Sequence, residues 1–458
     1  MGNPSIKFSC FNVLLVLIKE EQLKAYKAGR KGFTAAYIPF IAVFLIIIFF
    51  SKCNPTEPEN RLEISIEDVS CTEAWIKVTG ETGRELILNR DNKEVQRFTL
   101  TSSPQTIYDD SLKPNKAYTY QAVQNNKASS KITVTTLDTT SSNFIFQTFY
   151  FGGATSSSLS DIAIINDTLA YAVGQIYVYD SSGLADQTPY CIANWNGSKW
   201  RLSRLKFFPP QAIGDSMNAV GTAIFANNKD DIWLAAGAVF HYDGKYWNAY
   251  YNTLNAEGAN KIWSDGKGRT WFVGNNGLIV YYFNNVWQKL ESGTTLDIYD
   301  VYGAGGQIIA IASSYTTSRK ERKLLRIDPT TNTVTEIYDE GLAVSLRSIW
   351  FVPNKLYLCG GDGLFYKKDL NPTNDWEMYP VGPVTNYYTD GISGNDVNDI
   401  FVSGAYMELL HFNGMSWHNY KDEIPTENGA IKVVVKGNLL IAVGLSATGQ
   451  AITIVGKR

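Results

Sequence analysis

The stretch Asp231–Trp247, DIWLAAGAVFHYDGKYW, decides how this chain folds. Its apolar residues fall in two short runs, Ile232–Ala236 and Ala238–Tyr242, separated by Gly237. An Asp243-Gly244 turn follows, and Trp247 opens a third run. Asp-Gly between apolar runs predicts a hairpin, because a two-residue type I′ turn needs positive φ and glycine adopts it at little cost. The same order of aromatic, turn and tryptophan recurs in Asn194–Trp200 (NWNGSKW), Tyr281–Trp287 (YYFNNVW) and His411–Trp417 (HFNGMSW). A single hairpin of this kind cannot bury its own apolar face. Stacked copies can.

A second periodic signal runs through the same region. An apolar run ending in a small residue appears at Tyr171–Gly174, Leu234–Gly237, Trp271–Gly274, Ala310–Ala312, Tyr357–Gly360, Phe401–Gly404 and Ile441–Gly444. Most copies are ~40–50 residues apart, the period of propeller blades built from several short strands. The first interval is longer because of an insertion at Asp180–Tyr190 and a loop at Pro209-Pro210. The expected fold is therefore all-β, with a seven-bladed propeller over 143–458 and six or eight blades as alternatives. The last copy, Ala430–Arg458, ends after three strands, while Asn143–Phe151 (NFIFQTFYF) is a strand without a hairpin partner. The N-terminal strand is expected to complete the last blade, which removes the edges an open array would carry.

The repeats resemble those of bacterial propellers of the two-component-regulator sensor type, read roughly as W-x-G-T-x-x-G-L-x-x-Y. Trp271–Tyr281 (WFVGNNGLIVY) and Lys355–Tyr366 (KLYLCGGDGLFY) carry the likeness. The resemblance implies architecture rather than ligand. No kinase or DNA-binding segment accompanies the repeats, so a regulator role does not follow from it.

The N-terminal part reads differently. Lys24, Lys27, Arg30 and Lys31 precede the apolar run Phe33–Phe50. A basic flank before a run of about 18 apolar residues is the pattern of an export signal or a membrane anchor. Cys53 follows, and its position resembles the lipid-attachment site of bacterial lipoproteins, except that Lys52 stands where a small residue is usual. Residues 1–53 are thus expected to be a signal peptide or membrane anchor, with lipidated Cys53 and an uncleaved helix as alternatives. Either places the rest in the bacterial cell envelope, outside the cytoplasm. Residues 54–60 form a polar tether. Over 61–137, short alternating strands surround Trp75, and Leu112, Pro114, Tyr118 and Val123 resemble the fibronectin type III signature. That resemblance implies a β-sandwich with a tyrosine corner.

Composition narrows the function classes. Charged residues make up 19% of the 458 and the net charge is −3, so no nucleic-acid partner is expected. The five cysteines lack CxxC spacing, and no GxSxG, P-loop or HExxH motif occurs, so neither a metal site nor a catalytic residue is assigned. His241 and His411 occupy the same place in two repeats, which favours a structural role.

Counting back from the repeat glycines gives the residues entering each innermost strand: Asp161, Asn218, Lys261, Asp300, Ser348, Asp390 and Lys432. Asp161, Asn218, Asp300 and Asp390 are the candidate ligand residues at the channel mouth, for sugar hydroxyls or a cation such as calcium. The alternative is that each polar side chain bonds the backbone of a neighbouring blade. No cofactor is expected. Tyr177, Tyr179, Tyr190, Tyr250, Tyr251, Tyr387 and Tyr388 lie near loops and offer stacking faces. The expected function is a monomeric, membrane-anchored binding or scaffold protein, not an enzyme, with a protein or polysaccharide ligand. A carbohydrate-active enzyme using Asp161, Asp300 and Asp390 is the alternative.

Overall fold

The computed structural model describes residues 61–458 apart from 208–216, 252, 255–257, 315–320, 338, 340–341, 343–345, 354, 361–364, 370–375, 380–383, 386 and 425–428. The expected signal or anchor over 1–53, Cys53 and the tether lie outside the described residues.

Two small antiparallel sheets come first. Glu63–Val69, Ala74–Thr79 and Gln105–Asp109 form one; the other centres on Glu85–Arg90 and Ala117–Gln124. Alternation sends Ile76, Val78, Leu86, Leu88, Tyr120 and Ala122 into a shared core between them. Tyr118 is buried, and its hydroxyl accepts the Lys113 backbone N–H at 2.9 Å, fixing the chain where it enters Ala117–Gln124.

Seven four-stranded antiparallel sheets follow among the described residues. Their innermost strands are Ser158–Asn166, Ala223–Asn228, Ala259–Ser264, Asp297–Ala304, Leu346–Val352, Thr389–Asp396 and Gly429–Lys436. Each packs against the next, and the seventh packs back on the first, so these strands form a closed ring. The seventh sheet takes its outer strand from the other end of the repeats: Ile145–Phe151 pairs along its whole length with Ala451–Lys457. Its aromatic residues pack to both sides. Phe149 meets Trp195 of the first sheet, while Phe146 meets Tyr420 of the sixth.

The repeated glycines have a steric cause. A Cβ on Gly174, Gly274, Gly404 or Gly444 would lie 2.1, 1.9, 1.8 or 1.9 Å from a carbonyl oxygen of the adjacent innermost strand. At the first three the opposing strand shifts register, at Leu159/Asp161, Ala259/Lys261 and Thr389/Gly391. A β-bulge brings that backbone against its partner, and only glycine leaves room for it.

The hairpins differ in one respect from the expected two-residue turn. Tyr242 pairs with Trp247 across the four residues Asp243–Tyr246, and Asp243 Oδ1 accepts the N–H groups of Lys245 and Tyr246. Asn196 and Asn413 do the same for their own loops, closed by Trp195–Trp200 and Phe412–Trp417. Glycine at the second loop position has positive φ in all three, at Gly197, Gly244 and Gly414. The carboxylate or amide thus organises a wider loop than the dipeptide alone suggests. The two-residue form occurs at Asn284-Asn285, both with positive φ, between the paired Phe283 and Val286.

Candidate functional site

Each four-stranded sheet has two ends. At one lie the turns joining its first to second and third to fourth strands; at the other lie the bulges and the longer loops. The turn end of the fifth and sixth sheets meets the N-terminal sandwich. Lys355, just past the first turn of the fifth sheet, pairs with Glu73, which also accepts from Tyr108 at 2.7 Å and Ser70 at 2.7 Å. Burial opposes ionisation of Glu73, but the Lys355 charge and the three hydrogen bonds outweigh it and lower its carboxyl. The Lys355 ammonium also sits 4.9 Å from the centre of the Trp75 ring. In the sixth sheet, Asn398 donates to the Asp138 carbonyl at 2.8 Å.

His411 belongs to the same junction. Its Nε2 lies 2.9 Å from Asp399 Oδ1, its Nδ1 lies 2.9 Å from Ser142 Oγ, and its ring stacks on Phe401 at 4.3 Å. The connectivity copies a serine–histidine–aspartate triad, yet the imidazole is wholly buried and Asp399 is held by two hydrogen bonds from Arg458. This is a clamp on the linker. His241 repeats half of it, with Nε2 at 2.8 Å from Asp231 and the ring stacked on Trp233 at 3.9 Å.

The candidate residues separate once their register is read. Asp161, Lys261, Asp300, Ser348 and Lys432 share one level of the ring, opposite Val173, Val273, Ile311, Cys359 and Val443. Ala223 and Gly391 occupy that level in the second and sixth sheets. Asp161 is wholly buried; it accepts from Ile224 N at 3.1 Å and Lys261 Nζ at 2.8 Å, with Lys432 Nζ at 3.9 Å. Burial disfavours its charge, and the two lysines reverse that and lower its carboxyl. Asp300 is also buried and accepts from Ser348 Oγ at 2.6 Å and Ile349 N at 3.1 Å. Ser348 in turn accepts from Ile392 N at 3.3 Å. These side chains tie the first innermost strand to the second, third and seventh, the fourth to the fifth, and the fifth to the sixth.

Asn218 and Asp390 lie off that level. Asn218 pairs with Lys206 in a two-stranded sheet within the connection from the first to the second sheet. Counting back from Gly237 overshot the strand, which begins at Ala223. Asp390 is the bulged residue of its strand, one place before Gly391. Its counterparts are Ser160, Asn260, Tyr299 and Arg347, and this second level rings the mouth at the loop end. Arg347 lies 4.3 Å over the Tyr299 ring, with Nε 3.3 Å from Asp390.

From Asp390 the site continues outward. Tyr387 and Tyr388 precede it, and the Tyr388 carbonyl accepts Ala405 N at 2.8 Å, placing the turn Ala405–Glu408 beside them. Tyr406 and Met407 both have positive φ, 56° and 58°, an unusual state for large side chains. Met407 is buried and Tyr406 is 53% exposed, its ring centre 4.8 Å from that of Tyr387. Lys421 lies 4.6 Å from the Tyr387 ring centre and donates to its hydroxyl at 2.8 Å. Beneath the turn, Glu408 is buried; burial pushes its carboxyl up while Asn419 donates to it at 2.9 Å.

Tyr299, Arg347, Asp390, Tyr387, Tyr406 and Lys421 thus form a strip of adjoining aromatic and charged groups. Tyr387 was among the candidate stacking residues and Asp390 among the candidate ligands. Tyr299 and Arg347 were missed because the bulge shifts the count by one residue. Tyr406 carries a signal in hindsight: a tyrosine standing in a turn where asparagine or glycine is usual.

No family model and no curated protein matches the chain. Solved structures similar to it include YCF48 bound to a D1 peptide, with 13% identity, a TM-score of 0.52, and coverage of 68% of this chain and 95% of that one. YCF48 from Cyanidioschyzon merolae is also similar, at 13% identity and a TM-score of 0.48, over 67% of this chain and 98% of that one. The fold is a β-propeller. At that level of identity the likeness speaks for the fold alone. The ring of innermost strands is the wall of the propeller's channel, with the Asp161–Lys261 ion pair in that wall and the bulged residues at its mouth.

Proposed function

We propose that this chain is an exported binding or scaffold protein whose propeller offers its loop end to a protein or polysaccharide. In this reading residues 1–53 are a signal peptide or membrane anchor, 61–137 are a fibronectin type III-like spacer, and 143–458 are a seven-bladed propeller closed by the strand at 143–151. The location is the bacterial cell envelope. One observation carries the proposal: the described contacts that the sandwich and its linker make with the propeller lie at the turn end, which leaves the loop end to a partner. The peptide-bound state of one similar propeller supports a partner of the protein class.

Asp390 favours a second reading, a carbohydrate-active enzyme, because it is a partly exposed carboxylate at the channel mouth. A glycosidase needs two carboxyls about 5–10 Å apart around its sugar. Asp161 and Asp300 are committed to lysine and backbone partners, which leaves Asp390 as the residue to test. A glycan array beside a hydrolysis screen, on wild type and Asp390→Asn, separates the classes. Turnover lost in the variant establishes an enzyme; binding without turnover supports the scaffold. The anchor is tested by palmitate labelling, expected to disappear in Cys53→Ala, against a full-length unlabelled membrane form.

A further inference from the structure

We propose that the loop end of the seventh sheet and its two neighbours docks an apolar segment of a partner protein, seated between Tyr406 of the sixth sheet and an arm of the first, residues 177–186. The proposal rests on the binding role given to the loop end; it chooses protein over polysaccharide and places the contact.

The connections from second to third strand in the sixth, seventh and first sheets stand at the same end of adjacent sheets. In the first sheet this connection is an insertion that folds on itself. Asp186 N donates to the Val178 carbonyl at 2.9 Å and Asp180 N to the Leu184 carbonyl at 2.7 Å, with Tyr179 and Ala185 bridged between them. Asp180 Oδ1 closes the tip, accepting from Ser182 N at 2.8 Å and Leu184 N at 3.0 Å. Arg204 fixes the base, paired with Asp186 and lying 3.9 Å over the Tyr190 ring. The ribbon so formed presents Tyr179 and Leu184, which are 58% and 68% exposed. Ordering a loop costs backbone entropy, and here that order holds two large apolar side chains in water instead of in the core.

Across the seventh sheet stands Tyr406, at φ 56°, half exposed and stacked on Tyr387. A tyrosine is strained in that conformation, and such strain is characteristic of ligand contacts. The ground between is continuous. A Cβ on Gly429 would lie 2.4 Å from Met407 Cε and 2.3 Å from the Leu445 carbonyl, so the Tyr406 turn abuts the seventh sheet at Leu445, itself exposed. The connection 446–450 (SATGQ) folds tightly, with Ser446 N donating to the Gln450 carbonyl at 2.8 Å. Its Gly449 carbonyl accepts Ser157 N at 2.8 Å, and Ser157 Oγ accepts Tyr177 N at 3.0 Å at the root of the arm. Small side chains thus floor a saddle between the arm and Tyr406.

Charge and shape choose the occupant. Arg204 is matched by Asp186, Arg347 by Asp390 and Lys421 by the neighbouring Asp422, while Asp180 adds a further negative charge. These groups offer no surplus of positive charge to a polyanion, which disfavours nucleic acid, acidic polysaccharide and anionic lipid. Leu184 and Leu445 argue against neutral sugars as well. An aliphatic side chain has no flat face for a sugar ring to stack on, whereas the apolar centre of a protein interface buries leucine and tyrosine together and is poor in charge. The arm and the turn are already ordered, so docking on them costs little further entropy.

The probe is a display library of random linear peptides panned on the whole protein, with the enriched peptides then synthesised and titrated by calorimetry. The expected peptides are rich in leucine and aromatic residues and carry no excess of acid. Their binding should fall at least tenfold in Leu184→Ser and in Tyr406→Gly. Both variants should melt no lower than wild type, because Leu184 lies outside the core and glycine relieves the turn. Val286→Ser, which removes an exposed apolar residue at the turn end of the third sheet, should leave binding unchanged. Peptides whose binding survives both substitutions, or a library from which nothing enriches, overturn the proposal. Cello-oligosaccharides titrated in the same way separate the two levels. Sugar binding that Tyr406→Gly abolishes, with no peptide bound, overturns the protein assignment and leaves the binding role of the loop end standing. Neither peptide nor sugar bound overturns that role as well.

Discussion

Lys355 of the propeller and Glu73 of the sandwich form an ion pair from which water is nearly excluded, the side chains being 5% and 10% exposed. A pair so buried gains little over a well-packed apolar pair, but losing one partner leaves the other charge stranded. Lys355→Met should therefore cost about 3 kcal/mol. The double variant Glu73→Gln/Lys355→Met should recover much of that loss. Denaturant unfolding of the two single variants and the double variant measures it; additive losses would contradict the coupling.

The seventh sheet depends on a strand that lies in sequence before the first. Ile145–Phe151 forms its outer strand, and Phe144, just before it, is buried against Phe401 and Tyr420. Removing Asn143–Phe151 should lower the melting temperature far more than removing Asn60–Leu137. The first deletion exposes the edge of Ala451–Lys457 and uncovers Trp195, while the second removes a neighbour that the ring does not need to close. Phe144→Ala alone should cost ~3–5 kcal/mol. Thermal melts of the three variants decide it, and equal melting temperatures for the two deletions would refute the clasp.

Much of this architecture is legible in the sequence because it rests on local chemistry. The repeat glycines are demanded by bulges, and the D/N-G-x-x loops by side-chain acceptors at Asn196, Asp243 and Asn413. The site was harder to read for the same physical reason. A bulge inserts one residue, and counting along the chain then lands on the buried stitching level of Asp161 and Asp300 instead of the mouth. The junction with the sandwich was not legible at all. Glu73 and Lys355 are far apart in sequence, and nothing local to either marks the other as its partner.

Asp399 makes the linker clamp sensitive to acid. Burial opposes its charge, but bonds from His411, Arg458 and Asn395 prevail and bring its carboxyl from the ordinary 3.8 down to about 2. A depressed folded-state value means that the stabilisation is complete above pH ~3.8 and drains away as pH falls towards ~2, a difference of roughly 2 kcal/mol. Arg458→Gln removes the two guanidinium bonds and the charge that help lower the carboxyl, so its acid unfolding midpoint should move to higher pH. Circular dichroism across that range, on wild type and variant, checks the direction. An unmoved midpoint would mean that Arg458 does not hold Asp399.

Gly414 and Cys71 make the fit between sandwich and propeller measurable. Gly414 has φ +96°, and a Cβ there would lie 2.3 Å from Cys71 Sγ and 2.8 Å from Asn398 Cβ. Both strain and collision therefore oppose any larger residue. Cys71 is buried, and desolvation, helped by Asp138 and Asp396, pushes its thiol up to about 11. Since the thiolate is the reactive form, Cys71 should resist alkylation at neutral pH while the junction is closed. Gly414→Ala forces the two surfaces apart. Iodoacetamide labelling of the Cys71 peptide, followed by mass spectrometry, should accelerate at least tenfold in the variant. Cys191, in the first sheet and also buried, serves as the internal control and should label as slowly as in wild type. Equal acceleration at both cysteines would mean that the substitution had unfolded the propeller. Unchanged labelling of Cys71 would mean that the sandwich is not seated on Gly414 in solution.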